Sequence, residues 1–278
     1  MVEHLLVAAL GAAAHLATLR VAPTDGRLMH LDHAALKRTT PAGSALRVYL
    51  LGVVELEAAL TLQRTLAFEA AGQRDSAALV LCEHAPIITV GRDGSPADIR
   101  CDFDELRMRR WPLRWVNRGG GTLLHLPGQM AIYPILPLDW HGLGLADYLE
   151  RLQRVLVAVL EDFTVQAVTR HDQPGIWVGQ RLIAGVGVAV SDWVAYYGAY
   201  LNINPDLLPF RIVRSGAKEH QPMTSLVRER RGPVRTALVR ERLLDHFLAA
   251  FPFERTALFS HHPCLGRRPA RAGHLTAT

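Results

Sequence analysis

The sequence predicts an α+β fold, in which a mixed and largely antiparallel sheet is packed with helices. Short apolar runs that are typical of strands outnumber the stretches with helical periodicity, and several neighbouring runs have connections short enough for antiparallel pairing. The 278 residues are 49% hydrophobic and 21% charged, which is the composition of a globular protein with ample material for a core. Strands that outnumber helices and pair with their sequence neighbours indicate the α+β class.

The strand predictions follow the apolar runs along the chain. A first strand opens near Leu46, and further strands are predicted at residues 78–82, 87–90, 113–116, 131–136, 176–178, 182–190 and 194–201. The second and third strands of this series are joined by a turn at Pro86. Gly179-Gln180 predicts a type II′ hairpin turn before residue 182, because glycine tolerates the positive φ of the first turn position.

Three helices are predicted from apolar residues spaced three and four apart. The first covers 55–72 and ends at Gly72 as its C′ residue. The second, the clearest, covers 147–163, and Asp147 is its predicted N-cap. The last helix covers 238–251.

The domain organisation has three parts. Residues 1–45 are predicted to be an extension and linker, 46–252 the folded domain, and 253–278 a solvated tail. The apolar segment 5–19 is shorter than the roughly 20 residues that span a bilayer. It is preceded by Glu3 and His4 rather than by basic residues, so neither a membrane anchor nor a signal peptide is expected.

Charge and cysteine content exclude several functional classes. The 31 basic and 26 acidic side chains leave a net charge of +5 without a nucleic-acid-binding motif, which favours acidic protein partners over DNA or RNA. The three cysteines, Cys82, Cys101 and Cys264, form no CxxC pair and have no histidines at zinc spacing. We therefore expect neither a metal site nor a disulfide. We expect a cytoplasmic location.

A glycine-rich loop is the strongest local signal for a binding site. Arg118 is followed by three glycines and then by Thr122, Leu123, Leu124 and His125. Glycines permit close approach of a ligand, and Arg118 can hold a carboxylate or phosphate with two hydrogen bonds. The alternative is a plain β-turn, because tight turns also need glycine.

Small residues at 184, 185 and 187 mark a second candidate region, on the strand after the predicted hairpin. Gaps where bulky side chains would normally pack suit an acyl chain. The alternative is a crowded crossing of two segments of the core. A third stretch, from Tyr197 to Leu207, combines a strand with an Asn-Pro-Asp turn and proves nothing by itself.

Five stretches together carry a family resemblance. They are Glu83-His84-Ala85-Pro86 with Gly91-Arg92, the run 118–129, Gly175-Ile176-Trp177-Val178-Gly179, the run 201–210, and Thr224-Ser225-Leu226. In this order and spacing they resemble the lipoyl(octanoyl) transferase family over about residues 46–252. The resemblance implies the catalytic-domain fold that this family shares with biotin and lipoate protein ligases.

The resemblance also implies an activity and its partners. An octanoyl group would pass from octanoyl-acyl carrier protein to a lysine on the lipoyl domain of a 2-oxoacid dehydrogenase or on the glycine-cleavage H protein. No cofactor and no ATP are implied, and we expect a cytoplasmic monomer without membrane contact. The residues implied to bind substrate are Arg118, Gly119, Gly120, Gly121, Thr122, Leu123, Leu124, His125, Gly185, Val186, Gly187, Gly198, Ala199 and Tyr200.

The chain departs from the family at its two catalytic positions. Ser215 stands where the family has its cysteine, and Leu182 stands where it has its lysine. The family chemistry needs a thiolate and a nearby cation, and no cysteine occurs between residues 102 and 263. Lys218 and His125 are alternative bases, whereas Arg181 should point to the opposite sheet face.

Three hypotheses follow. The first is an octanoyltransferase that uses Ser215 or another group. The second is a catalytically degenerate homologue that binds an acyl group, a lipoyl group or a carrier domain without turnover. The third is an ATP-using lipoate ligase, against which Leu182 counts, because those enzymes also rely on a lysine in the equivalent hairpin.

Overall fold

The computed structural model describes residues 40–170, 175–214 and 222–265. Within them, eleven strands form one sheet of eight strands and one of three. The large sheet has the order β11-β1-β2-β6-β10-β9-β8-β7 and the small sheet the order β4-β3-β5. Strand β1 pairs in parallel with β2 and β11, and β3 pairs in parallel with β4, whereas the other pairs are antiparallel. The predicted mixed and largely antiparallel α+β fold is confirmed.

The strands have the following bounds. In the large sheet they are β1 Ala45–Val53, β2 Ser76–Glu83, β6 Gln129–Pro137, β7 Val168–Thr169, β8 Ile176–Val178, β9 Arg181–Ser191, β10 Val194–Asn202 and β11 Arg255–Phe259. In the small sheet they are β3 Ile87–Val90, β4 Leu113–Trp115 and β5 Thr122–His125.

Five α-helices cover the sheets in the described part of the chain. They are α1 Leu56–Gly72, α2 Phe103–Arg109, α3 Leu145–Asp162, α4 Leu226–Arg230 and α5 Thr236–Ala250. Helix α1 packs on one face of the large sheet through Leu62 and Leu66, and α3 and α5 pack on the other through residues such as Leu156 and Phe247. None of these helices has the length and apolar character needed to cross a bilayer.

Two local predictions are corrected. Helix α3 begins at Leu145 after Gly144, so Asp147 lies in its first turn and is not the N-cap. A carboxylate there still interacts favourably with the helix dipole, which explains its position. The first helix includes Gly72 and ends at Gln73, which takes the capping position instead.

The strands on either side of Pro86 lie in different sheets. Both edges of β2 are occupied, one by β1 and the other by β6, so β3 has no edge to pair with. It pairs instead with β4 and β5, which places the small sheet next to the large one.

The large sheet continues beyond residue 252, where the sequence predicted a tail. Strand β11 pairs with β1 from Ala45↔Arg255 to Tyr49↔Phe259. All five of its residues are exposed, so no buried alternation marked it in the sequence. Ser44, predicted to be linker, is fully buried, and its carbonyl accepts hydrogen bonds from Glu254 and Arg255.

The predicted hairpin after residue 175 is confirmed in position. Gly179 has a φ of +56° and Gln180 does not share a positive φ, as a type II′ turn requires. Trp177 pairs with Leu182 and Ile176 with Ala184, so Ile183 is an extra residue that forms a β-bulge. The bulge places Leu182 on the same sheet face as Gly185.

Some predictions fall on residues outside the described part of the chain. These are the extension at 1–39, the end of the tail at 266–278, and Ser215 and Lys218 in the segment 215–221.

Candidate functional site

The glycine-rich loop between β4 and β5 is held tightly by the chain itself. The amide of Gly119 donates to the Val188 carbonyl on β9 over 3.0 Å, and the amide of Gly120 donates to Asp93 over 2.9 Å. The amides of Gly91 and Arg92 donate back to the carbonyls of Gly121 and Arg118. The amides of Gly119 and Gly120 are therefore not free to bind an anion. Instead, the loop connects the end of β3 to β9 through hydrogen bonds.

Close backbone approach explains two of the glycines in this region. A Cβ on Gly91 would lie 2.3 Å from the Gly120 carbonyl oxygen. A Cβ on Gly187 would lie 2.5 Å from the Gly119 carbonyl oxygen. At Gly187 the alternative of a crowded core crossing thus accounts for the missing side chain.

Arg118 turns inward beneath its own loop. Its Nη2 donates to the hydroxyl of Thr89 over 2.7 Å and to the Thr89 carbonyl over 3.2 Å, and its Nη1 donates to the Gly119 carbonyl. Its buried Nε has no hydrogen-bond partner. Burial lowers the pKa of the guanidinium, while the nearby hydroxyls of Tyr200 and Tyr133 act in the opposite direction. No carboxylate of the described residues pairs with this side chain.

A continuous series of hydrogen bonds, which we call the polar chain, runs from this arginine across the large sheet. Its members are Arg118, Thr89, His125, Gln129, Asn202 and the backbone carbonyl of Thr224. Thr89 lies 3.2 Å from Nε2 of His125, and Nδ1 of His125 lies 2.9 Å from Oε1 of Gln129. The distance from Nε2 of Gln129 to Oδ1 of Asn202 is 2.9 Å, and the distance from Nδ2 of Asn202 to the Thr224 carbonyl is 3.1 Å.

The directions of the bonds in the polar chain follow from its end as far as His125. A backbone carbonyl only accepts, so Asn202 donates to Thr224 through its amide nitrogen and accepts from Gln129 through its oxygen. Gln129 must then accept from Nδ1 of His125. The Thr89 hydroxyl also lies 3.4 Å from the Leu123 carbonyl, so the direction at Nε2 depends on the protonation of the ring, which accepts from Thr89 when it is neutral.

The electrostatics of this histidine agree with a neutral ring. Burial, followed by the charges of His84 and Arg118, lowers the pKa of His125 well below its usual value. His84 packs edge-on against it, donates from Nδ1 to the Val54 carbonyl, and contacts the hydroxyl of Tyr133 at 2.8 Å. A histidine in this state does not serve as the general base that the sequence left open.

The position where the resemblance implies a lysine lies in an apolar environment, unlike the residues of the polar chain. Leu182 is 4% exposed and belongs to what we call the apolar cluster, whose buried members are Ile88, Leu106, Leu123, Leu124, Leu126, Trp177, Leu182, Tyr200, Phe210, Val213 and Met223. The cluster fills the space between the small sheet and strands β8 to β10. Leu123 and Leu124 from the glycine-rich segment therefore belong to the same buried cluster as Leu182.

The space beside Gly185 is filled by Tyr200. These residues are paired across β9 and β10, and a Cβ on Gly185 would lie 2.5 Å from Cε1 of the tyrosine ring. Two other expected site residues point elsewhere, because Val186 and Ala199 pack into the core beneath α3 and α5. Gly198 brings β10 close to β6, since its Cβ would lie 2.3 Å from the Ile132 carbonyl oxygen.

Two ion pairs anchor the edges of the site. Arg181 donates to both carboxylate oxygens of Glu229, at 2.7 and 2.8 Å, so its guanidinium is held in an ion pair. Thr224 also donates to Glu229. The hydrogen bond from Arg181, opposed by partial burial, lowers the pKa of Glu229.

Asp98 links the glycine-rich loop to the residue that precedes Ser215. It accepts from Thr122 over 2.9 Å and from Arg214 over 2.8 Å. Burial acts to raise the pKa of Asp98, but hydrogen bonds from Arg214, Ser95 and Thr122 hold that pKa below its usual value. The anchoring fixes Arg214 relative to the loop.

Other candidate chemistry is weak in the described residues. No three His, Cys, Asp or Glu side chains there are grouped so that they could hold a metal ion. Cys82 is fully buried, and burial raises the pKa of its thiol to about 12. That thiol is a packed hydrophobic group rather than a nucleophile.

Comparison with known proteins decides the family. Residues 55–248 match the lipoyl protein ligase A/B catalytic domain. The chain belongs to this family. An octanoyltransferase from Geotalea uraniireducens is 33% identical over 197 residues, which cover 71% of this chain and 89% of that protein. An octanoyltransferase from Syntrophobacter fumaroxidans is 38% identical over 150 residues, covering 54% of this chain and 66% of that protein.

Solved structures of the family share the fold. A lipoate-protein ligase A bound with ATP has a TM-score of 0.60 at 15% identity, covering 78% of this chain and 90% of that one. A bipartite lipoate protein ligase from Thermoplasma acidophilum, studied with its E2 lipoyl domain, has a TM-score of 0.61 at 15% identity, covering 78% and 88%. The predicted ligase-like fold and membership of a transferase family are thus confirmed.

Several residues that shape the site escaped the sequence analysis. These residues, Thr89, Asp98, Asn202 and Glu229, bond to partners that are distant in sequence. The bond from Asn202 to Thr224 spans 22 residues, and the bond between Arg214 and Asp98 spans 116. Only the capping position of Asp98 in Ser95-Pro96-Ala97-Asp98 was readable locally, because Ser95 and Asp98 bond reciprocally.

Proposed function

We propose that this chain acts in lipoate biosynthesis as an octanoyltransferase-type protein that takes octanoyl-acyl carrier protein as donor and a lipoyl-domain lysine as acceptor. The acceptor protein is a 2-oxoacid dehydrogenase subunit or the glycine-cleavage H protein. The chain is a cytoplasmic monomer in this proposal. The observation that carries it is that Leu123 and Leu124, position 182 and Val213, from three separate segments, belong to one buried apolar cluster.

Membership of the family supports the proposal. The relatives are octanoyltransferases, and the family motifs at 118–129 and 224–226 supply the polar chain at both of its ends. Val213 lies two residues before Ser215, and Arg214 is fixed by Asp98. The donor and acceptor are therefore expected to approach over the apolar cluster.

The proposed transfer does not use a cysteine–lysine pair. In one route, the hydroxyl oxygen of Ser215 attacks the thioester carbonyl, the carrier thiol leaves, and the acceptor amine then displaces the serine from the ester as the amide forms. In the other, the acceptor amine attacks the thioester directly, loses a proton to solvent, and releases the carrier thiol. Neither route gains a cation from Leu182, so both are expected to be slow.

A second candidate is a homologue that binds a carrier or an acyl group without turnover. The specific observation in its favour is the apolar surrounding of Leu182, where a charged base would be desolvated. His125 is a buried titratable side chain of the glycine-rich segment, and both of its ring nitrogens are already hydrogen-bonded.

One experiment separates these candidates. Purified full-length chain is incubated with octanoyl-acyl carrier protein and a lipoyl domain, and mass spectrometry follows the octanoyl adduct. The wild type is compared with Ser215→Ala and with a lipoyl domain whose acceptor lysine is replaced by arginine. Binding of each partner is measured in parallel by calorimetry.

Each outcome decides between the candidates. Wild-type turnover that disappears in Ser215→Ala supports the serine route, and turnover that survives this change supports direct attack by the amine. Binding without turnover supports the second candidate. Absence of both turnover and binding to either partner contradicts the proposed function.

A further inference from the structure

Tyr200 takes up the volume that a glycine opens on the neighbouring strand. The ring carbons Cε1 and Cζ would lie 2.5 and 2.8 Å from a Cβ on Gly185, and the tyrosine is 8% exposed. Such distances are not seen for real Cβ atoms. The glycine and the ring are thus complementary, and the space beside Gly185 is occupied rather than empty.

The walls of this space suit a hydrocarbon chain. Tyr200 belongs to the apolar cluster with Leu123, Leu182, Trp177 and Met223, which present carbon atoms from four separate segments. Cavities of about 150 Å³ lined by such side chains stay dry and bind small apolar molecules. Removing the ring would therefore leave a cavity whose walls are mainly apolar.

A cation without a carboxylate partner stands next to the ring. The Cδ of Arg118 lies 3.7 Å from the position of a Cβ on Gly187, two residues along β9 from Gly185. Its buried Nε donates to no described group. An acyl compound whose chain replaced the ring would bring its carbonyl or carboxylate oxygen toward a guanidinium whose buried Nε has no hydrogen-bond partner.

We propose that Tyr200 closes the space beside Gly185 to the acyl chain, so that the octanoyl group of the donor lies over the apolar cluster and enters it only when the ring is absent. This inference rests on the proposed function, because it concerns where the same acyl group lies at the same cluster. The ligand class is a medium-chain acyl group with an oxygen acceptor at one end.

The test uses octanoic acid as probe and the full chain as protein. Calorimetry compares the wild type with Tyr200→Ala, Tyr200→Val and Tyr200→Phe. We expect at least about tenfold tighter binding in the alanine and valine variants, and no gain in the phenylalanine variant, which keeps the ring. Tyr148→Ala is the matched control, because it truncates a fully buried tyrosine in the core beneath α3.

Gly185 provides a second arm that does not depend on the wild type binding anything. Gly185→Ala should lower the melting temperature in the wild-type background, where its Cβ meets the ring, and should do so much less in Tyr200→Val. Gly185→Leu in the Tyr200→Val background should refill the space and abolish the gained binding.

The results that overturn the inference are distinct from those that overturn the proposed function. Equal octanoic acid affinity in the wild type and in both Tyr200 truncations, or an equal gain in Tyr148→Ala, contradicts the role of Tyr200. Additive effects of Gly185→Ala and Tyr200→Val on stability contradict it as well. Gained binding without any octanoyl transfer leaves this inference standing and contradicts only the transferase activity.

Discussion

The polar chain and the apolar cluster draw on the same segments of the protein, and neighbouring residues of these segments contribute to both. Leu124 belongs to the cluster and His125 to the chain, and the same holds for Met223 and Thr224. The polar chain has a partner for each linking group and a single direction of donation. The apolar cluster has, at position 182, a leucine where the resemblance implies a lysine.

The two regions therefore have different roles: the polar chain stabilises the fold, and the apolar cluster contains the position where the resemblance implies the base. A buried polar chain is stable only when every member is satisfied, so its sequence tolerates little change. A leucine in place of a buried lysine removes a desolvation penalty and improves packing. The fold of the family is therefore compatible with a leucine in the core at the position where the resemblance implies the base.

The largest effect is expected from breaking the polar chain at its centre. Gln129→Leu leaves Nδ1 of His125 and Oδ1 of Asn202 buried without partners. Each such group costs about 1–3 kcal/mol, so we expect a loss of about 3–5 kcal/mol in the free energy of unfolding by urea denaturation. Gln73→Leu, at an exposed glutamine, is the control and should change stability by less than about 0.5 kcal/mol. Equal effects of the two variants would contradict the structural role of the chain.

A charge placed in the apolar cluster should have the next largest effect. Leu182→Lys buries an amine among hydrocarbon side chains, which lowers the pKa of that lysine and destabilises the fold by about 3 kcal/mol near neutral pH. Its folded pKa lies below its unfolded pKa, so stability should recover as the pH rises toward about 10. Leu182→Met, which conserves volume, should cost less than about 1.5 kcal/mol. A lysine variant as stable as the methionine variant at every pH would show that position 182 is hydrated.

The buried histidines give the polar region a pH dependence of intermediate size. His84 and His125 have lowered pKa values in the fold, mainly through burial, but bind protons in the unfolded chain below about pH 6.5. Acid therefore favours unfolding, and between about pH 7 and about pH 5.5 the pair should remove about 2–3 kcal/mol of stability.

The urea midpoint measured at these two pH values checks this expectation. His141, whose pKa burial lowers to about 4, adds to the same slope. His125→Gln should flatten the slope by about one histidine's share, about 1 kcal/mol. A slope that is unchanged in this variant would mean that His125 is protonated in the fold.

The smallest effect concerns the start of the domain. A truncation beginning at Thr40 should leave the melting temperature unchanged. One beginning at Ala45 removes Gly43 and Ser44, which bond to Glu254 and Arg255, and should cost about 1–2 kcal/mol. Thermal unfolding of the two truncations measures the difference. A large loss of melting temperature in the chain that begins at Thr40 would place the domain boundary before that residue.

Much of the fold was predictable because local patterns carried it. The helices near α1, α3 and α5 and most strands of both sheets were found from their apolar spacing, within a few residues. Strand β11 was not, because all five of its residues are exposed and it pairs with the far end of the chain. The bulge at Ile183 was also invisible, since it depends on the register against β8.

The site was predictable in its members but not in its interior. The motifs led to Arg118, His125 and Leu182, yet only the folded chain shows that Arg118 turns inward and that Tyr200 fills the space beside Gly185. These are contacts between separate strands, and no local pattern encodes which side chain enters a gap. Small residues in a sequence predict a gap, but they do not predict which side chain fills it.

Restoring both catalytic groups tests most directly whether the frame of an octanoyltransferase persists without its chemistry. Octanoyl transfer to a lipoyl domain is measured by mass spectrometry for the wild type, Ser215→Cys, Leu182→Lys and the double variant. Because a thiol needs a nearby cation to become a thiolate near neutral pH, the double variant should exceed the wild type and the sum of both single variants. A double variant no faster than the wild type, though folded and able to bind octanoyl-acyl carrier protein, would contradict the account.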